Sequence, residues 1–265
     1  MQAYQTVFYT LHLPHTGYHD KQVKIAFFSD LHGCCSAEEK AEILKRLDEL
    51  HPDVVLCGGD SIVAVPGHSV QEPVRFLREI AGQYRLVIGT GNHEYRSRLY
   101  PETYGAMYRD YRDALACQNI DILENAELRI TLSGLPLHLY GFDMPREYYG
   151  RIRRKVLPVS EIRNIFGKPD PDAVSILLAH NPRALGAYQE WGSDLTLCGH
   201  YHGGIMRIGQ HYGLISPELR PFPSRAYGHF QKNGKHVIIS SGCGEHTIPV
   251  RIHNPREIVG ICITT

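Results

Sequence analysis

Five short segments of this 265-residue chain end in side chains that bind metal ions. In order they are Asp30-Leu31-His32, Gly58-Gly59-Asp60, Gly91-Asn92-His93-Glu94, Ala179-His180 and Gly199-His200-Tyr201-His202. Residues two apart in an extended segment project the same way, so Asp30 and His32 can face one cation, and His200 and His202 repeat that spacing. Asp60 follows two glycines, which let the backbone turn tightly and approach a neighbour closely. A carboxylate placed there can put one oxygen on each of two ions. Asn92 adds an oxygen ligand without adding charge. The set is nitrogen and oxygen with no thiolate, which suits two divalent ions drawn from Mn, Fe, Zn or Co. Two such ions side by side serve in-line attack of water on a phosphate ester.

These side chains need elements to carry them. Val23–Phe28, Asp53–Cys57, Arg85–Ile88, Val174–Leu178 and Asp194–Cys198 are short apolar runs rich in β-branched residues, which read as strands buried on both faces. Each delivers its polar residues just past its C-terminal end. Ser36 to Leu50 opens with Ser36 and Glu39, a capping-box pair, followed by apolar Ile43, Leu44 and Leu47, so a helix is predicted there. Further helices are predicted over Val70–Ala81 and Pro101–Gln118. The β-α-β-α-β alternation implies a parallel sheet with right-handed crossovers, and ligands in such sheets sit beyond the carboxyl ends of the strands. Leu128–Leu132 and Leu137–Gly141 read as a hairpin around Ser133-Gly134. His236–Ser241 and Ile258–Thr264 add strands, so a second sheet is expected to pack on the first. Gly141 to Lys168 reads as an irregular excursion.

Composition narrows the classes. Lys+Arg and Asp+Glu are both 28, so formal charge is zero, and nothing in the total points to nucleic acid or an acidic membrane surface. No apolar run approaches the roughly 20 residues of a membrane span, and residues 1–20 lack the pattern of a signal peptide. The seven cysteines form no CxxC pair, which predicts reduced thiols and a cytoplasmic setting. Cys34 and Cys35 follow His32 directly and are assigned packing or loop roles, with a metal or redox role as the alternative. Oligomeric state is not readable.

The ordered motifs resemble the calcineurin-like metallophosphoesterase family, and within it the bacterial YkuE-like phosphoesterases. Leu178-Ala179-His180-Asn181-Pro182, Gly199 to Gly204, Ser241 to Gly244 and Pro249-Val250-Arg251 add to the likeness, which spans about residues 23–262 of what reads as one domain, 1–265. The resemblance implies an α/β fold, a four-layer αββα sandwich of two mixed β-sheets flanked by helices. It implies one metal held by Asp30, His32, Asp60 and His202, and a second held by Asp60, Asn92, His180 and His200. His93 is then not a ligand but the general acid, or the stabiliser of developing charge. One departure is that Ser61-Ile62-Val63-Ala64 carries no Asp after Gly-Asp.

The expected activity is hydrolysis of a small phosphorylated substrate, a phosphomonoester or phosphodiester, through a hydroxide bridging the two metals. Arg96, Arg98 and Arg183 follow motif residues and are candidates to bind substrate phosphate. The alternatives are a non-catalytic metal-binding scaffold of the same fold, a nuclease, and a nucleotide-lipid pyrophosphatase. The last would need an apolar groove or a membrane-facing helix, and the sequence displays neither.

Overall fold

The computed structural model describes residues 4–15, 17–33, 36–116, 119–150, 155–209, 211–217, 221–245 and 250–265. Cys34, Cys35 and Cys117 therefore lie outside the described residues. Two six-stranded sheets organise the chain. Strands β1 (Tyr4–His12), β2 (Gln22–Phe28), β3 (Val54–Cys57), β4 (Leu86–Gly89) and β5 (Ile120–Leu123) fall in the first sheet. Strands β6 (Ala126–Leu132), β7 (Leu135–Gly141), β8 (Val174–Leu178) and β9 (Leu195–Cys198) fall in the second. A small ribbon, β10 (Arg207–Ile208) and β11 (Tyr212–Gly213), precedes β12 (Gly228–Lys232) and β13 (Lys235–Ile239) of the second sheet and β14 (Arg256–Thr264) of the first. The orders are β1-β14-β2-β3-β4-β5 and β12-β13-β9-β8-β7-β6.

Within the first sheet β2 through β5 run parallel, and β14 opposes β2 while running parallel to β1. In the second, β7, β8, β9 and β13 are parallel, with antiparallel β6 and β12 at the edges. Among the described residues, seven helices cover the outer faces: α1 (Ala37–Leu50), α2 (Gln71–Ala81), α3 (Asn92–Leu99), α4 (Pro101–Tyr104), α5 (Met107–Leu115), α6 (Val159–Phe166) and α7 (Leu185–Trp191).

Three apolar layers follow from the two faces of each strand. Ile25, Phe27, Leu56 and Val87 meet Leu137, Ile176 and Leu197 between the sheets. Ala26, Val55 and Ile88 face the other way, against Ile43, Phe76, Leu77 and Tyr111 of α1, α2 and α5. Leu177, Cys198 and Val237 pack on Ile162, Tyr188 and Trp191 of α6 and α7. The result is the expected αββα sandwich. Helix α1 starts as predicted, with Ser36 Oγ accepting from the Glu39 N–H at 3.2 Å and the Glu39 carboxylate accepting from the Ser36 N–H at 2.8 Å.

Three readings need correction. Gly141 to Lys168, read as an irregular excursion, contains helix α6 over Val159–Phe166. The helix predicted over Pro101–Gln118 is two, α4 and α5, because Gly105 turns into the left-handed region at φ 63° and breaks the first turn of hydrogen bonds. Strand β1, unread in the sequence, forms the outer edge of the first sheet.

Candidate metal centre

Asp30 and His32 leave β2, Asp60 leaves β3, and Asn92 and His93 leave β4. His180 leaves β8, and His200 and His202 leave β9. All are connections at the carboxyl ends of strands, so the packing of the two sheets brings the loops together. The meeting is tight. A Cβ on Gly199 would collide with Ser29 and Asp30, and one on Gly59, which sits at φ 94°, would collide with the Gly91 backbone. Asp30, His32, Asp60, His200 and His202 hold φ between 46° and 67°. That left-handed region is unfavourable for residues with a side chain. Five strained residues in one cleft are the pattern of a site whose geometry the surrounding fold enforces.

Ligand atoms converge in three overlapping groups: Asp30, His32 and His202; Asp60, His180 and His200; and His32, Asp60 and His93. His32 Nε2 is 3.0 Å from His202 Nε2, which is 3.3 Å from Asp30 Oδ1. His180 Nε2 is 3.1 Å from Asp60 Oδ2 and 3.8 Å from Asp30 Oδ1. Asp60 thus stands between the groups, and its other oxygen accepts from the His93 N–H at 2.8 Å. The Asp30 carboxylate accepts from the hydroxyl of Ser29 and from the His200 N–H.

Two atoms test whether a cation fits. Asn92 Oδ1 is buried and accepts no hydrogen bond from the described residues, a condition that ordinarily costs a fold stability. His180 donates from Nδ1 to Gly58 O at 2.8 Å, which orients the ring and leaves Nε2 facing Asp60 Oδ2 at 3.1 Å. A backbone-tethered imidazole that presents its second nitrogen to carboxylates is the usual arrangement of a metal-binding histidine. Protonation gives the same answer. Burial lowers the His180 pKa, but the charges of Asp60 and Asp30 outweigh it and lift the group to about 10. Burial likewise raises Asp60, yet His180 and His93 hold it well below the usual carboxylate range. Asp30 is raised, by burial first and then, against the pull of His180, by the nearby Asp60 charge. The two buried carboxylates and the raised His180 pKa make the cleft a place that favours positive charge, as a cation site requires.

His93 differs from the other histidines. Its Nδ1 accepts from the Ala64 N–H at 2.8 Å, with Arg96 also 3.4 Å away. A neutral ring so held carries its proton on Nε2 and is a hydrogen-bond donor rather than a lone-pair ligand. Burial lowers its pKa, which keeps it neutral.

The arginines sort differently from the sequence reading. Arg96 donates to Ala64 O at 3.1 Å and backs His93. Arg98 is held by Glu124 at 2.7 Å and Asp143 at 2.6 Å. Arg183 donates to Gly150 O at 2.8 Å, beside a turn whose Tyr149 ring meets His200 edge-on at 6.4 Å. Trp191 belongs to the core under α7 and donates to Gly167 O.

Glu94 was missed as a functional residue. Fully buried, its carboxylate accepts from the N–H groups of Asp60, Ser61, Ile62 and Gly91 at 2.7–3.2 Å, and so ties the Asp60 loop to the Asn92-His93 loop. Burial and the Asp60 charge push its pKa up to about 7. Its position three residues after Gly91 was the available signal, since Gly91 is the N-cap of α3 and a glutamate there can bond back to it. Arg251 was also missed. It is buried, donates to Ser241 O at 2.9 Å and Gly244 O at 2.6 Å, and lies 3.4 Å from His202 Nδ1.

The family model of calcineurin-like phosphoesterases matches residues 23–208, a span that holds every one of these ligand positions. The chain belongs to that family. An uncharacterized metallophosphoesterase of Helicobacter pylori (strain ATCC 700392 / 26695) is 27% identical over 248 residues, covering 90% of this chain but 59% of that protein. YkuE of Bacillus subtilis (strain 168), also an uncharacterized metallophosphoesterase, is 25% identical over 245 residues, 89% of this chain and 77% of its own length. Among solved structures, TT1561 of Thermus thermophilus superposes with a TM-score of 0.50 over 84% of this chain and 91% of that one at 10% identity, a likeness of fold alone. No described helix is long and apolar enough to cross a membrane.

Proposed function

We propose that this family member is a metal-dependent phosphoric ester hydrolase with two divalent ions in the cleft. The observation that supports this reading is the set of overlapping ligand groups, Asp30, His32 and His202 beside Asp60, His180 and His200, with the buried Asn92 Oδ1 accepting no hydrogen bond from the described residues. Asp30, His32, Asp60 and His202 would hold one ion, and Asp60, Asn92, His180 and His200 the other. Bound there, the ions supply Lewis-acid chemistry, lowering the pKa of an attacking water and offsetting charge on the phosphoryl oxygens.

The chain's own residues do the rest. Asp30 and Asp60 hold the positive charge in place while the buried histidines exclude bulk solvent. His93 directs its Nε2–H into the cleft and donates to the leaving oxygen, where such help is worth about 10²–10⁴-fold. Arg96 and the Ala64 N–H hold that ring in its donor tautomer. Glu94 keeps the Asp60 and His93 loops in register, so the donor and the bridging carboxylate stay at a fixed separation. Arg183 sits at the rim and orients a substrate phosphate. The substrate class is a phosphomonoester or phosphodiester.

Protein purified without chelator should carry about two ions per chain by elemental analysis and hydrolyse members of a phosphoester panel. Turnover that survives complete metal removal, or a covalent phosphoenzyme, would overturn the reading.

A further inference from the structure

Strand β7 delivers no proposed metal ligand, yet a buried carboxylate leaves it at the same end of the sheet as His180 and His200, since β7, β8 and β9 are parallel. Asp143 follows Gly141, the last residue of β7, by two positions and is 4% exposed. Its side chain accepts from the hydroxyl of Thr90 and, at 2.6 Å, from Arg98 Nη2. Those two donors bracket one short piece of chain. Thr90 directly follows Gly89 at the end of β4, and Arg98 lies in the last turn of α3. Asn92 and His93 stand between them. One carboxylate of the second sheet therefore grips a first-sheet segment on both sides of its functional pair.

The grip has a fixed base. The Asp143 N–H donates to Asn125 Oδ1 at 2.8 Å, and the neighbouring Phe142 N–H donates to Leu178 O at 2.9 Å. Leu178 is the last residue of β8, two before His180. A Cβ on Gly89 would collide with Leu178, so the ends of β4 and β8 already touch. The contacts run from His180 through Leu178, Phe142 and Asp143 to Thr90 and Arg98, and so to Asn92. Arg98 is also fixed from its other sides. Glu124 holds it at 2.7 Å, and its guanidinium lies 5.2 Å from the Tyr95 ring centre and 5.7 Å from that of Tyr108. Charge-assisted hydrogen bonds of this kind are short and directional. Stability alone is a poor account of the pair, because well-packed apolar residues often serve a fold as well as a buried ion pair does.

We propose that Asp143 is a positioning residue for one of the two ions and not for the other. Acting through Thr90 and Arg98, it holds Asn92 against His180, two ligands assigned to the second ion only. The ligands assigned to the first ion, Asp30, His32, Asp60 and His202, leave β2, β3 and β9, so none comes from the clamped segment. The inference rests on the two-ion reading and adds an order to it. The second ion depends on a contact between the sheets that the first does not need.

The test is titration of metal-free protein with Mn²⁺ alone, followed by equilibrium dialysis and electron paramagnetic resonance, so that no turnover enters. The parent should bind about two ions per chain and give the exchange-coupled signal of a pair. Asp143→Ala should keep its affinity for the first ion and bind the second about tenfold more weakly, the lower end of the range for residues that support metal ligands. At limiting Mn²⁺ its spectrum should be that of an isolated ion. Asp143→Asn should restore the pair, because an amide can accept from Arg98 while donating to Thr90. Glu124→Gln loosens Arg98 from its other side and should keep the coupled signal. If Asp143→Ala does not fold, Thr90→Val decides, since it removes one donor at nearly constant shape and should weaken the second ion alone. A parental signal in the folded variant overturns the clamp and leaves the two-ion reading standing. Equal weakening of both ions, or the same loss in Glu124→Gln, makes Asp143 a general prop of the fold and also overturns it. A parent without a coupled signal overturns the two-ion reading first, and the clamp with it.

Discussion

The first sheet ends mostly in oxygen donors and the second in nitrogen donors. Asp30, Asp60 and Asn92 leave β2, β3 and β4, with His32 as the one imidazole among the proposed ligands there. His180, His200 and His202 leave β8 and β9. Neither half is a site on its own. Three histidines give a cation no charge compensation, and two buried carboxylates without cations are costly: burial first, and then the Asp60 charge, raises the Asp30 pKa. Stacking one sheet on the other brings the two ends together into one candidate metal centre. The contacts that fix the stacking, such as Gly199 against Ser29 and Asp30, are therefore part of the chemistry.

The strongest way to break this division is at the residue both ligand groups share. Asp60→Asn keeps the shape but removes the charge that holds His180 and its neighbours. We expect bound metal to fall from about two per chain toward none, and turnover to drop by more than the roughly 10⁴-fold upper range of a single general acid. A variant that keeps both ions would remove Asp60 from the bridging position. The next effect separates binding from catalysis. His93→Ala should retain its metal by elemental analysis while kcat falls about 10²–10⁴-fold. Loss of metal along with activity would make His93 a ligand.

Changing the stacking itself should act more mildly and on both properties at once. Gly199→Ala pushes a methyl group from the second sheet's loop into Ser29 and Asp30. Overpacking of this kind typically costs about 1–3 kcal/mol, so denaturant unfolding should shift to lower midpoint with metal affinity reduced in parallel. A variant of parental stability and affinity would show that the two loops are independent.

Much of this was legible in the sequence for one reason: parallel strands buried on both faces announce themselves as short apolar runs, and the polar residues after them must lie at one end of the sheet. The meeting of the loops that carry Asp30, Asp60, His93, His180 and His200 follows from that, whereas the αββα layering was implied by the family resemblance. Helix α3 was not legible. Asn92 to Leu99 has no apolar periodicity, with only Glu94 and Ser97 buried, and its start is held by Glu94 bonding back to Gly91. Strand β1 was hidden by its position at an edge, where alternate residues remain partly exposed.

The second sheet also offers a control on its own chemistry, and the smallest expected effect lies there. At the outer edge, His229 Nε2 is 2.9 Å from His236 Nδ1 and the rings stack at 5.1 Å. Two imidazoles meet there as they do in the cleft, but without carboxylates from the first sheet between them. Asp194 is the acid that bears on His236, and His211 is the further group that bears on His229. Burial lowers both pKa values, and the charge of His236 further lowers that of His229. The unfolded chain therefore takes up protons at a higher pH than the folded one. By linkage, stability rises with pH wherever the unfolded state binds more protons. The pair's contribution is complete above the ordinary imidazole value near 6.5 and is lost as pH falls from there toward the depressed folded values. A His229→Gln variant has one fewer ring to protonate, so its Tm should fall less between pH 8 and pH 5 than the parent's, in metal-free buffer so that the cleft contributes equally to both. Parallel pH profiles would mean that the two rings titrate as ordinary surface histidines. A variant that loses bound metal at pH 8 would show instead that this nitrogen pair, too, belongs to a metal site.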